Sequence, residues 1–230
     1  AIKLIRAEAL DRAVGLDVSS RAGGGEPAGA PISELELIQH RFEAEVQATA
    51  SLRSPHTVEI YDYGITEDGR LFYVMELLEG ITLEQLVERF GPVRPARAVH
   101  LLIGVCHSLS EAHRAGLVHR DIKPTNLFCC QYGEERDFVK VIDFGLVARN
   151  DLPDGSGDLE VGDDVLAAKL TRAGTVPGTP AFVSPEAITG ESPLEARADL
   201  YSLGCVAFWL LTGRLPFVER NVVRMMRAHL

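Results

Sequence analysis

Two short polar segments, separated by about the length of a hairpin, constrain the fold of this chain more than any other feature. Residues 119–126 read His-Arg-Asp-Ile-Lys-Pro-Thr-Asn, and residues 143–145 read Asp-Phe-Gly. An apolar run leads out of the first segment at Leu127–Cys130, and a second leads into the other at Phe138–Ile142. This order predicts two loops that carry charged and amide side chains next to short strands.

The residue types in these loops suit one kind of chemistry. Asp121 can accept or orient the proton of a hydroxyl, and Lys123 can face a phosphate. Asn126 and Asp143 offer hard oxygen atoms, which Mg²⁺ prefers. Transfer of a phosphoryl group from ATP requires this combination. The two segments resemble the catalytic loop and the metal loop of protein kinases. The lysine at 123 is typical of the Ser/Thr kinases, and the whole chain resembles a eukaryotic-like Ser/Thr protein kinase of bacterial type.

The resemblance implies residues that bind the phosphates of ATP. Lys3, in Ala-Ile-Lys at 1–3, resembles the strand lysine that binds the α- and β-phosphates in kinases. Its implied partner is a glutamate of the following helix, where Glu43 and Glu45 are both available. The run from Arg41 to Glu45, followed by Ser-Pro, fits bacterial kinases best with Glu45 in that role.

The resemblance also implies an adenine site where the second predicted β run ends. Residues 75–80 read Met-Glu-Leu-Leu-Glu-Gly and resemble the hinge between the two lobes of a kinase. The backbone groups of Glu76 and Leu78 are then expected to bind the adenine edge, with Met75 at the back of the pocket. Ala1 and Phe128 are expected to pack on the two faces of the adenine ring.

Two further segments resemble the end of the kinase activation segment, Gly-Thr-Pro at 178–180 and Ser-Pro-Glu at 184–186. The resemblance implies that Thr179 hydrogen-bonds the catalytic aspartate and lysine. It also implies that Asp199, at the start of an apolar helix, holds the backbone of the catalytic loop.

Arg120 directly precedes the catalytic aspartate, an arrangement that in the family accompanies control by phosphorylation of the activation segment. A phosphate on Thr171 or Thr175 would offer charge-assisted hydrogen bonds to Arg120. We therefore expect autophosphorylation at one of these threonines, in trans between two copies of the domain.

The coarse pattern of elements predicts an α+β fold of the two-lobed kinase type. Strands are predicted at residues 1–5, 57–63, 71–77, 127–130 and 138–142, and helices at 33–52, 82–90, 95–115 and 194–212, with another helix from about 219. A small antiparallel-sheet lobe with one main helix is assigned to residues 1–77, and a larger, mainly helical lobe to residues 78–230. On the resemblance, both ends are expected to be truncated, without the Gly-rich loop and the last helices.

Charge and cysteine usage exclude some other classes. With 33 acidic and 23 basic residues the net charge is −10, which argues against a nucleic-acid surface. No apolar run is long enough to span a bilayer. The cysteines at 106, 129, 130 and 205 have no Cys-x-x-Cys spacing. We expect reduced core or near-core thiols of a cytoplasmic protein, with metal binding as the weaker alternative.

The leading functional hypothesis is a protein Ser/Thr kinase that uses ATP and Mg²⁺ on protein substrates. The first alternative is a pseudokinase, a scaffold that has the fold without turnover. The intact set of Lys3, Asp121, Lys123, Asn126 and Asp143 disfavours it. The second alternative is a small-molecule phosphotransferase, which the Gly-Thr-Pro and Ser-Pro-Glu segments disfavour because they resemble a platform for peptide substrates.

Overall fold

Two three-stranded antiparallel sheets and a set of helices form the fold. The computed structural model describes residues 1–4, 34–66, 70–144, 180–190, 194–219 and 221–230. The strands are β1 (Ile2–Leu4), β2 (Ile60–Ile65), β3 (Leu71–Met75), β4 (Gly80–Thr82), β5 (Leu127–Tyr132) and β6 (Glu135–Val141). The helices are α1 (Glu34–Ala50), α2 (Leu83–Phe90), α3 (Pro95–Arg114), α4 (Pro185–Thr189), α5 (Ala196–Thr212) and α6 (Val222–His229), with 3₁₀ turns at Pro124–Asn126 and Pro180–Phe182. This arrangement confirms the predicted α+β class.

The first sheet has the strand order β1-β3-β2, and α1 packs against it. Phe42 and Val46, which recur at helical spacing on α1, are buried against Leu71 and Tyr73 of β3. In the register of the sheet, Tyr73 of β3 pairs with Lys3 of β1 on one side and with Tyr63 of β2 on the other. The small core under this sheet therefore centres on β3.

The second sheet has the order β4-β5-β6 and packs against α3. Leu101, Val105 and Leu109, which recur at helical spacing on α3, are almost fully buried in the main core. Leu127 of β5 and Val141 of β6 lie in the same core. The β5–β6 hairpin is thus fixed against a long helix, and its ends carry the two polar segments.

The predicted strand at 57–63 is wrong in its first half. His56, Thr57 and Val58 leave the first sheet and bond to the end of β6: Val58 N–H donates to Val141 O at 3.0 Å, and Val141 N–H donates to His56 O at 2.7 Å. β-propensity alone could not predict this, because it identifies a β-prone run without showing whether that run pairs with the neighbouring β3 or with β6, which lies about 80 positions later.

Helix α1 ends at Ala50, two residues before the predicted end at Leu52. The carboxylate of Glu111 on α3 accepts hydrogen bonds from Arg53 N–H at 2.9 Å and Ser54 N–H at 2.6 Å. These bonds satisfy the backbone outside the helix, so a side chain from α3 directs the chain away from α1.

All four cysteines are free thiols, as predicted, and Cys129, Cys130 and Cys205 are buried. Burial raises the pKa of Cys129 to about 12 and that of Cys205 to about 11, which keeps both thiols protonated at neutral pH. Cys106 is exposed on α3, so its predicted place in or near the core is wrong. None of the helices formed by the described residues combines the length and apolar character needed to cross a membrane.

Candidate active site

The catalytic loop forms one hydrogen-bonded cluster. The amide nitrogen of Asn126 donates to the backbone oxygen and to Oδ2 of Asp121, both at 2.9 Å. The ammonium group of Lys123 lies 2.6 Å from the same carboxylate oxygen. Ile142 N–H donates to Asn126 O at 2.9 Å, which places Asp143 next to the cluster. The structure therefore brings together the residues that the sequence assigned to catalysis and metal binding.

Asp199, at the start of α5, holds the backbone of this loop by hydrogen bonds. Its two carboxylate oxygens accept hydrogen bonds from His119 N–H and Arg120 N–H, both at 2.8 Å, and its side chain is 1% exposed. Arg120 has a φ of 65°, in the left-handed region that a residue with a side chain rarely adopts. The contact expected of Asp199 is therefore present, and it stabilises a strained backbone. His113 on α3, whose Nε2 lies 2.7 Å from Asp199, completes the set.

His119 joins the catalytic loop to the end of β6. Its Nε2 lies 3.0 Å from Ile142 O, and its ring lies against Phe144 with 4.6 Å between centroids. Since the carbonyl can only accept, Nε2 carries the hydrogen and Nδ1 accepts from Asp121 N–H at 3.3 Å. Burial lowers the pKa of His119, although the carboxylate of Asp199 opposes this effect. The neutral ring therefore acts as a fixed connector between the two polar segments.

The oxygen atoms at this site fit Mg²⁺ by their chemistry. The amide nitrogen of Asn126 is bonded to Asp121, so its Oδ1 is the atom left for a cation. Asp143 adds a carboxylate from the adjacent loop. Two protein ligands are typical of Mg²⁺ sites that phosphate oxygens and water complete. Within the described part of the chain, no group of three or more His, Cys, Asp or Glu side chains could hold a metal, which leaves the cysteine alternative unsupported.

Comparison with known proteins identifies the family. The model of the protein kinase domain matches residues 32–230. The chain belongs to the protein kinase family. It is 40% identical over 190 residues to the serine/threonine-protein kinase pkn3 of Myxococcus xanthus, covering 83% of this chain and 32% of that protein. It is 39% identical over 209 residues to PknL of Mycobacterium tuberculosis, covering 90% and 45%.

A third relative, PknB of Mycolicibacterium smegmatis, is 37% identical over 192 residues, covering 82% of this chain and 28% of that kinase. The chain therefore spans less than half the length of these three curated relatives. Their names and the length of the match place it with the bacterial-type Ser/Thr kinase domains.

The predicted hinge of this kinase domain joins its two sheets. β3 ends at Met75 and β4 begins at Gly80, so residues 76–79 are the connection. Ala1 pairs with Met75, since Met75 N–H donates to Ala1 O at 2.8 Å and the terminal amine donates to Met75 O. Phe128, on β5, lies in register with Thr82 of β4. The residues expected on the two faces of adenine thus lie on the two sheets that the hinge connects.

The sequence reasoning missed a buried ion pair behind this hinge. Lys140 of β6 is 5% exposed, and its Nζ lies 2.5 Å from Oε1 of Glu76. The same oxygen accepts from Glu59 N–H at 2.8 Å, while Glu76 N–H donates to Glu59 O at 3.0 Å. The signal was a lysine inside the otherwise apolar run Phe138–Ile142, because a buried ammonium needs a carboxylate partner. The pair fixes Glu76, whose backbone is the predicted adenine contact.

A second missed residue is Tyr73 of β3, whose hydroxyl donates to Oδ1 of Asp143. The side chain is 2% exposed. A tyrosine in a buried strand signals a hydrogen-bond partner for its hydroxyl, although not which one.

The predicted phosphate-binding pair is described only in part. The backbone of Lys3 pairs with that of Tyr73, but its side chain lies outside the described residues. Glu45 is half-buried on α1, with its Oε1 3.9 Å from a terminal guanidinium nitrogen of Arg120. The pairing of Lys3 with Glu45 stays a prediction. Thr171, Thr175 and Thr179 also lie outside the described residues.

Proposed function

We propose that this domain transfers the γ-phosphoryl group of ATP to Ser and Thr hydroxyls of proteins. The observation that carries the proposal is the bonded cluster of Asp121, Lys123 and Asn126, with Asp143 placed beside it by the Ile142–Asn126 backbone bond. The relatives named as serine/threonine-protein kinases support it.

Each residue of the cluster has a distinct role in this proposal. Asp121 accepts or orients the proton of the attacking hydroxyl, and Asn126 holds its carboxylate in place. Lys123, already bonded to Asp121, neutralises charge on the transferred phosphoryl group. Asn126 Oδ1 and the carboxylate of Asp143 hold Mg²⁺, which when bound neutralises charge on the phosphates of ATP.

The nucleotide is proposed to bind between the two lobes, residues 1–77 and 78–230. The hinge backbone of Glu76 and Leu78 binds the adenine edge, and Met75, Ala1 and Phe128 enclose the ring. Lys3, with Glu45, binds the α- and β-phosphates. The division of the strands into two sheets on either side of residues 76–79 supports this placement.

We further propose control by autophosphorylation in trans, which requires a transient dimer. Nε of Arg120 is buried and has no hydrogen-bond partner among the residues that the structure describes. A phosphothreonine at 171 or 175 supplies the anion that this guanidinium can bind. Four free thiols support a reducing, cytoplasmic setting for the domain.

The test uses the full-length protein, radiolabelled ATP and a generic protein substrate. Asp121→Asn should keep Mg²⁺-dependent nucleotide binding and lose a factor of about 10²–10⁴ in turnover, because the hydroxyl loses its base. Asp143→Asn, the matched control, should weaken the Mg²⁺-dependent binding itself.

Near-normal phosphorylation by the Asp121→Asn variant would overturn the assignment of the base. A wild-type protein that binds nucleotide without turnover would instead identify the pseudokinase alternative.

A further inference from the structure

Tyr73 connects the first sheet to the metal loop. Its ring is buried with Phe42 and Val46 of α1 and Leu71 of the same strand, and the side chain is 2% exposed. Its hydroxyl donates to Oδ1 of Asp143, which lies 70 positions later in the chain and directly follows the second sheet. A side chain anchored in the core of one sheet therefore holds a carboxylate beside the other.

We propose that Tyr73 is a positioning residue that orients the Asp143 carboxylate for Mg²⁺ and thereby sets the Mg²⁺ concentration at which nucleotide binds. The inference rests on the proposed function, because it requires Asp143 to be a metal ligand.

A phenol suits this role by its charge and by its geometry. The terminal torsion of an aspartate is broad, so a carboxylate without a fixed contact samples many orientations. A hydroxyl donor occupies only one of about four acceptor positions on the two carboxylate oxygens. Because the donor is neutral, it does not repel a divalent ion, as a lysine or arginine in the same place would.

The backbone of Asp143 adds a second reason for the contact. Its φ of 60° lies in the left-handed region, which residues with a side chain adopt infrequently. The carboxylate bond to the rigid β3 strand helps to hold this conformation before any ligand binds. Preorganisation of this kind lowers the ordering cost that ligand binding otherwise carries.

The register of the first sheet places Tyr73 next to the residue that is predicted to bind the phosphates of ATP. Lys3 of β1 pairs with Tyr73 across the strand boundary. Tyr73 therefore lies beside the predicted phosphate-binding lysine, Lys3, in the backbone of the sheet. Through its side chain it is bonded to the predicted metal ligand, Asp143. A change in the position of β3 would therefore shift both Lys3 and Asp143.

The competing explanation is purely structural, because a buried tyrosine hydroxyl needs some acceptor. That role predicts a loss of stability alone. The positioning role predicts a change in metal dependence that stability does not account for.

The experiment compares Tyr73→Phe with Tyr63→Phe in the full-length protein. Tyr63 lies opposite Tyr73 in the same sheet, and its hydroxyl accepts from Gln47 at 2.6 Å. The control variant therefore also loses one tyrosine hydroxyl, but one that is not bonded to Asp143. Binding of ADP is measured by calorimetry over a series of Mg²⁺ concentrations, and Mn²⁺ binding in the presence of ADP by electron paramagnetic resonance. All measurements are made well below the lowest unfolding temperature.

For Tyr73→Phe we expect the half-saturating Mg²⁺ and Mn²⁺ concentrations to rise about five- to tenfold, because metal binding must then also order the Asp143 carboxylate, which costs part of the free energy of the lost hydrogen bond. ADP binding without metal should stay unchanged. Tyr63→Phe should match the wild type both in its metal dependence and in its ADP binding without metal. A second variant, Tyr73→Leu, should show the same rise, because the effect depends on the hydroxyl.

A Mg²⁺ dependence equal to that of the control, whatever the loss of stability, overturns the inference while the proposed function stands. A wild-type protein whose ADP binding does not depend on Mg²⁺ overturns the proposed metal site, and this inference with it.

Discussion

Replacement of Asp199 by asparagine tests how the catalytic loop is held. The carboxylate accepts from His119 N–H and Arg120 N–H, and it lies 2.7 Å from His113 Nε2. Asparagine has one acceptor oxygen, so its NH₂ group must face a buried N–H donor. The loss of one charge-assisted hydrogen bond costs about 1.5–3 kcal/mol. Because the single oxygen can accept from His119 and His113 or from Arg120, but not from all three, a buried donor also stays unsatisfied, and we expect a total loss of roughly 2–4 kcal/mol in the free energy of unfolding.

For a domain of this size, that loss corresponds to a fall in Tm of roughly 4–16 °C. Thermal and urea denaturation measure it. Phosphorylation should fall further than nucleotide binding, because Arg120, with its φ of 65°, loses its support and Asp121 follows it directly. Glu195→Gln, at the residue directly before the same helix, is the matched control. Its ion pair with Arg197 is 61% and 74% exposed, so the change should cost below about 1 kcal/mol. An equal Tm shift in the two variants would refute the reasoning.

Two other perturbations follow from buried charge. Lys140→Met leaves Glu76 without its cation and should destabilise the domain by about 3–5 kcal/mol in urea denaturation, whereas adding Glu76→Gln should restore most of the loss. Arg97→Met, which breaks an exposed pair, should cost below about 1 kcal/mol, and an equal effect at Lys140 would contradict the prediction. Burial lowers the pKa of both His119 and His229, so below the ordinary histidine pKa of about 6.5 the unfolded chain takes up protons that the folded chain resists. Stability should therefore fall as the pH drops from about 7.5 to about 5.5. His229→Gln should make this slope shallower, and an unchanged slope would contradict the assignment.

The sequence was sufficient for the features that neighbouring residues determine. Asp121, Lys123 and Asn126 lie within six positions, so the conformation of one loop brings them together. Asp143 joins them because a hairpin of local strands connects the two loops. The same holds for the start of α2, which lies one residue after the predicted start and is fixed by a capping box of two residues close in sequence, Thr82 and Gln85.

Only the tertiary structure decided which distant groups meet. The bonds from Tyr73 to Asp143 and from Lys140 to Glu76 join residues 70 and 64 positions apart. Glu111, 57 positions away from Ser54, accepts hydrogen bonds from the backbone that follows α1. Val58 donates its N–H to Val141 O of the second sheet and not to a strand of the first sheet. Residue type shows that a buried tyrosine, lysine or glutamate needs a partner. The choice of partner depends on how the two sheets and α3 pack, since local propensity contains no information about contacts across such separations.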